Sequence, residues 1–153
     1  MDMLFFGCNT IELDKVDSTN NYAMKLANDA SCVEGTVINT KLQTKGKGQR
    51  DGFWEGASGQ NLTFSYIIKP SFLPVSEQFD LNKAVSLGIY DYVKSELATS
   101  NFANEVRIKW PNDIYVSDKK ISGILIENLI AQSKIKSAVI GIGINVNQLH
   151  LVQ

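Results

Sequence analysis

Metal-ligating and nucleophilic side chains are scarce in this chain, which has one histidine, His150, and two cysteines, Cys8 and Cys32. The cysteines stand far apart, in no metal or redox spacing. A disulfide framework is therefore not expected, and two buried or half-buried thiols in a reducing compartment fit better. One histidine near the chain end leaves too few parts for a zinc site or for a serine or cysteine triad. No apolar run approaches the length of a membrane span. Met1 to Cys8 is too short for the charged start, apolar segment and cleavage site of a secretory signal. A cytoplasmic protein with no membrane partner is the expectation. An excess of one charge sign is also lacking, with 15 Lys+Arg against 16 Asp+Glu and a net charge of −1. A broad nucleic-acid surface is not suggested, although a local basic patch is compatible with this balance.

What is present is ordinary for a globular domain. The chain has 153 residues, 44% hydrophobic and 20% charged, enough for one domain with a core of its own. Repeats and low-complexity segments are absent. Thr10 to Val16 alternates like a strand, and Ser18 or Thr19 can cap a helix to about Asn28 that buries Ala23, Leu26 and Ala27. Short strands are expected over Gly35 to Thr40 and Leu62 to Lys69, the second stopped by Pro70. Between Ser76 and Leu97, Leu81, Ala84, Val85, Gly88, Ile89, Tyr92 and Val93 recur at helical spacing, with Gly88 expected at a close packing point. Strand-like runs follow at Val106 to Trp110, Asp113 to Val116, Lys120 to Asn128 and Ser137 to Val146, with a hairpin turn at Ser117 to Lys119. The pattern predicts an α+β domain: a mixed, mainly antiparallel sheet with helices packed on one face.

Three segments carry chemistry. Lys41 to Gly52 is a loop with Lys41, Lys45, Lys47 and Arg50 among its glycines, followed by Trp54. Glycines let backbone N–H groups close around an anion, cations offset phosphate charge, and an indole offers a purine a flat surface. It is not a Walker loop. A solvated flexible loop explains it at least as well, and a nucleic-acid patch is a third reading. Arg107 to Asp113 ends a strand on Lys109, beside Trp110 and Pro111. An ammonium there can stabilise a carboxylate attacking a phosphate, or serve only a structural ion pair. Gly141 to Asn147 alternates glycines at a strand end, which suits either close approach of a ligand or sheet packing, and Asn145 has an amide able to read an adenine edge. Helix capping by itself explains Ser18-Thr19-Asn20. No role is assigned to His150.

Taken together, these segments resemble the biotin–protein ligase family in order and spacing. Gly46 through Trp54 with Gly59 to Ser65 is similar to the family's glycine-arginine loop and following strand. Arg107 to Tyr115 and Lys119 to Glu127 are similar to its KWPNDI and KKxxGIL(V/I)E signatures, and Gly141 to Asn147 to its GxGINVN strand. The likeness covers nearly all of residues 10 to 148. It implies the biotin/lipoate ligase catalytic fold, ATP-dependent adenylation of biotin with Mg²⁺, and transfer to a lysine of a biotin carboxyl carrier protein domain. By resemblance, Ser18, Thr19, Asn20 and Gln43 would contact biotin. Gly46, Lys47, Gly48 and Gln49 would close over biotin and the adenylate phosphate. Lys109 would be catalytic, bridging the biotin carboxylate and the α-phosphate. Arg50, Trp54, Asn112 and Asn145 would join Lys47 and Gln49 around the nucleotide.

The family loop usually reads GRGRxxRxW. Here Lys47 and Gln49 stand at two of its arginines, and Gly52 where a third is frequent. Lys47 keeps charge without the bidentate fork, and Gln49 keeps hydrogen bonding without charge. Compared with the family, residues 1 to 153 read as a single catalytic domain without an N-terminal DNA-binding region or a C-terminal β domain, shortened by construction or by nature. Repressor function and nucleic acid as a partner are not implied, and a homodimer is left open. A lipoate ligase and a non-catalytic remnant that binds biotin or carrier protein are the alternatives.

Overall fold

The structure is a computed structural model that describes residues 7, 9–50 and 52–148. Cys8, Asp51 and His150 lie outside the described residues. The elements run β1 (Thr10–Leu13), α1 (Thr19–Ala27), β2 (Val37–Thr40), β3 (Asn61–Ile68), α2 (Gln78–Glu96), β4 (Val106–Lys109), β5 (Asp113–Val116), β6 (Lys119–Ala131) and β7 (Lys134–Asn145). A 3-10 turn at Val75–Glu77 leads into α2, and another at Ala103–Glu105 leads into β4. Seven strands form one sheet in the order β1-β2-β3-β7-β6-β5-β4. Among the described strands, β1 and β2 pair in parallel and the other five strand pairings are antiparallel. The mixed, mainly antiparallel α+β sheet is as expected.

The helices, however, do not share a face. Side chains alternate across a strand, so neighbours on β3 and β7 point in opposite directions. Ile67 and Val139 pack with Ala23 and Ala27 of α1. Their neighbours Ile68, Ala138 and Ile140 pack in a second cluster with Leu81, Val85 and Ile89 of α2. Both faces of β3 and β7 are therefore buried, which is why these strands read as nearly continuous apolar runs.

Local differences have local causes. β1 stops at Leu13; Val16 makes only an isolated parallel bridge to Gln43. β6 and β7 extend toward each other beyond the expected ends and join through Gln132 and Ser133, both left-handed at φ 49 and 63. That backbone suits a tight hairpin, but Gln-Ser is not the Asn-Gly pair that announces one. Gly88 is exposed and a Cβ there would meet nothing within 4 Å, so it is not a packing contact. Helix α2 instead turns buried Asn82 and Ser86 inward, and both donate to the Pro111 carbonyl, at 2.9 and 3.2 Å. This anchors the β4–β5 turn that carries Lys109 and Asn112.

Candidate functional site

Helix α1 is nine residues long, roughly 13 Å, too short to cover its face of the sheet. It buries one end, against Ile38, Ile67 and Val139. Beyond that end the same face carries small and polar residues. The register places Ser65, Gly141 and Leu125 in one row across the sheet. The next row holds Thr63, Gly143, Gly123, Asp113 and Lys109. A groove open to solvent lies over these rows.

The N-terminus of α1 closes the groove's inner end. Ser18 is the N-cap, and its side chain accepts from the Asn21 backbone N–H. Asn21 Nδ2 and the Ser18 backbone N–H donate to Asp17, which holds that carboxyl below its ordinary range. Thr19 and Asn20, both buried, then turn toward the sheet. Gln43 Oε1 accepts from the Thr19 backbone N–H at 2.7 Å and lies 3.1 Å from Thr19 Oγ1. Asn20 Nδ2 donates to the Leu125 carbonyl and to Glu127 Oε2, at 3.2 and 2.9 Å. Ser65 Oγ lies 2.7 Å from Thr19 Oγ1 and 2.6 Å from Asn20 Oδ1. Gly141 leaves room for this network, since a Cβ there would overlap the Asn20 amide.

The glycine-rich loop forms one wall. Its base is tied to the strand exit by Thr44 N–H to Val16 O and Lys45 N–H to Asp17 O, at 2.9 and 2.8 Å. Its tip is a small hairpin with a Lys47–Phe53 bridge, in which Gly48 N–H donates to Gly52 O at 2.7 Å. The indole of Trp54 lies directly on the glycine rows. A Cβ on Gly143 would overlap the ring, and one on Gly123 would be 3.0 Å from it. Lys120 Nζ stands 5.8 Å from the Trp54 ring centroid and pairs with Asp113 at 2.8 Å. The alternating glycines therefore serve close approach, but by Asn20 and Trp54 of the chain itself.

Of the expected site residues, Ser18, Thr19, Asn20, Gln43, Lys47, Gly48, Gln49, Trp54 and Asn112 line the groove. Gly46, Arg50, Lys109 and Asn145 are not among its lining residues. Gly46 is buried behind the loop, where its carbonyl accepts from the Trp54 N–H at 3.0 Å. Arg50 is exposed in a left-handed turn at φ 50. Lys109 shares the groove's sheet face but lies out at β4, exposed, with Nζ 5.2 Å from the Tyr115 ring centroid. Asn145 donates Nδ2 to the Lys120 carbonyl at 3.1 Å, a bond that holds β6. Asn112 is similarly engaged, giving Nδ2 to the Ile124 carbonyl at 2.9 Å. Of the loop's four cations only Lys47 lines the groove; Lys41 pairs with exposed Asp14 at 2.8 Å instead. Sequence reasoning gave no role to Ser65, Lys120 or Glu127, although Lys120 and Glu127 lie within the KKxxGIL(V/I)E segment. For Ser65 the available signal was a pair of polar residues two apart, Thr63 and Ser65, within the otherwise apolar run 62–68.

Cys32 is buried, and burial pushes its thiol up from its ordinary value, which keeps it protonated and unreactive. Burial likewise pushes the Tyr66 hydroxyl, on the α2 face, up to about 12. Among the described residues no group of three or more His, Cys, Asp or Glu side chains is placed to hold a metal ion, and no helix is long and apolar enough to cross a membrane.

Residues 12–145 match the family described as the biotin/lipoate A/B protein ligase family. The bifunctional ligase/repressor BirA of Bacillus spizizenii is 32% identical over 142 residues, which cover 93% of this chain and 42% of that protein. The biotin–[acetyl-CoA-carboxylase] ligase of Mycobacterium tuberculosis is 30% identical over 131 residues, 86% of this chain and 47% of that protein. Among solved structures, the biotin protein ligase of Aquifex aeolicus in complex with biotin and ATP superposes with a TM-score of 0.66 at 31% identity, covering 95% of this chain and 56% of that one. The chain thus spans less than half the length of these curated relatives.

Proposed function

Because this chain belongs to the biotin/lipoate A/B protein ligase family, we propose that it carries the catalytic machinery of a biotin–protein ligase. The observation that supports this reading is one groove lined jointly by the α1 cap, the glycine-loop tip and Trp54. Its inner end, rich in neutral hydrogen-bonding groups, suits a polar ring. Its outer side offers Lys47, Lys120 and, along the same row, Lys109, which suits phosphate. In this reading a biotin carboxylate oxygen attacks the α-phosphorus of ATP, and the bond to pyrophosphate breaks. Lys47 and Lys109 offset the charge that develops, with Gln49 as a neutral donor. An amine of a carrier-protein lysine then attacks the carbonyl of the mixed anhydride and releases AMP, so the chain needs no nucleophile of its own. Mg²⁺ accompanying ATP would supply charge screening for its phosphates. The carrier partner in this reading is a biotin carboxyl carrier domain.

The test is pyrophosphate release with biotin and ATP, run beside calorimetry with biotin alone. Biotin-dependent release is expected. Binding of biotin without release would leave a binding protein, and release with lipoate in preference to biotin would reassign the substrate.

A further inference from the structure

Glu127 is a half-buried carboxylate at the foot of the groove that does not line it. Its two oxygens go to two different walls. Oε2 accepts from Asn20 Nδ2 at 2.9 Å, and Oε1 pairs with Lys47 Nζ at 3.2 Å. We propose that Glu127 is a positioning residue: together with the Leu125 carbonyl it holds Asn20, and so the hydrogen-bond chain at the inner end of the groove, in one direction, and it ties the loop tip over that end. The proposal rests on reading that groove as the biotin site.

The argument is a count of protons. A carboxylate only accepts. Asn20 must therefore present Nδ2 to Glu127, and its second Nδ2 proton goes to the Leu125 carbonyl at 3.2 Å. Asn20 Oδ1 then faces Ser65, 2.6 Å away, and can only accept, so the Ser65 hydroxyl must donate to it. Ser65 has no second proton for Thr19, 2.7 Å away, so the Thr19 hydroxyl supplies its own proton, to Ser65 or to Gln43. Thr19 Oγ1 and Gln43 Oε1 are left with lone pairs at the groove's inner end. The order Thr19, Ser65, Asn20, Glu127 makes that end an acceptor, selective for a substrate group that carries N–H donors. The Leu125 carbonyl also only accepts, so a neutral amide at 127 can turn only its own oxygen to Asn20, and the bond that holds Asn20 loses its charge. The same substitution would remove the charge that holds Lys47, and with it the tie between loop tip and sheet.

The test uses the full chain and three measurements. In the ligand-free wild type, both Asn20 Nδ2 protons should be resolved by NMR and slow to exchange. In Glu127→Gln those resonances should shift, amide exchange over residues 47–53 should quicken, and biotin affinity should fall by about tenfold, the factor separating a hydrogen bond to a charged group from one to a neutral group. Lys47→Met separates the two roles: it should quicken loop exchange while leaving the Asn20 side-chain resonances in place. Fast-exchanging Asn20 Nδ2 protons in the wild type would overturn the proposal, as would wild-type biotin affinity in a folded Glu127→Gln. If the wild type binds no biotin, the functional reading fails, while the Asn20 resonances and the loop exchange still decide the role of Glu127.

Discussion

At the scale of single residues, charge and room decide what this groove can do. Lys109 is an exposed cation on the groove's face, beside Tyr115. Lys109→Ala should abolish pyrophosphate release while the fold persists. A lost transition-state charge partner costs roughly 3 kcal/mol, about a hundredfold. Unchanged release in the folded variant would remove Lys109 from the mechanism. Gln49 lines the groove at a position where the sequence resembles a family arginine, while exposed Arg50 is not among the lining residues. Gln49→Arg should slow dissociation of preformed biotinyl-adenylate by about tenfold, worth some 1.4 kcal/mol. An equal or faster off-rate at matched salt would mean that position 49 does not face the phosphate. Gly141 has a different constraint, because its missing Cβ is the space that the Asn20 amide fills. Asn20 is held by Ser65, Leu125 and Glu127 and cannot retreat cheaply. Overpacking of this kind costs about 1–3 kcal/mol. Gly141→Ala should therefore weaken biotin binding by roughly tenfold or more, and calorimetry showing wild-type affinity would contradict the network.

At the scale of elements, the glycine-rich loop is two structures. Composition alone predicts mobility over all of Lys41 to Gly52. The backbone instead shows a base bonded to Val16 and Asp17 and a tip held by its own short hairpin and by Lys47–Glu127. The tip has few buried apolar contacts, and such segments open at low free-energy cost. Amide exchange should therefore be slow at Thr44 and Lys45, fast from Lys47 to Phe53, and slowed in the tip when biotin or its adenylate binds. Uniformly fast exchange across 41–52, or a tip indifferent to ligand, would reject this division. Helix α1 was legible from sequence because Ser18 caps it and Ala23 and Ala27 recur four apart on its buried side. Helix α2 was legible in extent but less so in orientation. Its inward face includes Asn82 and Ser86, polar residues that periodicity assigns to solvent and that the Pro111 carbonyl retains.

At the scale of the whole molecule, β7 is the central beam. It pairs with β3 on one side and β6 on the other, separates two apolar clusters, and carries the groove floor on its alternate residues. Ile140 is fully buried in the cluster under α2, on the side away from the groove. Ile140→Ala should destabilise by about 2–5 kcal/mol and lower Tm by roughly 4–20 °C, at about 2–4 °C per kcal/mol for a chain of this size. Below the new Tm, biotin affinity should be nearly unchanged. A thermal scan with no shift would mean that the α2 face is not a load shared by the sheet.

The strands of the sheet, the two helices and the groove's main contributors could be read from the chain because each depends on neighbours in sequence: alternation, helical spacing, a cap, and motifs matched in order and spacing. Three matters were decided only by tertiary structure. Two apolar helices give no sign of which sheet face each will cover; that follows from strand register, which put α1 and α2 on opposite faces. A glycine pair announces close approach but not what approaches, and here the visitors are Asn20 and Trp54, from far away in the chain. A carboxylate within an apolar strand announces nothing until folding sets it between a helix cap and a loop lysine. Glu127 acquired its partners that way, 107 residues from Asn20 and 80 from Lys47, because the direction of a hydrogen bond depends on what stands opposite, and sequence alone does not say what that is.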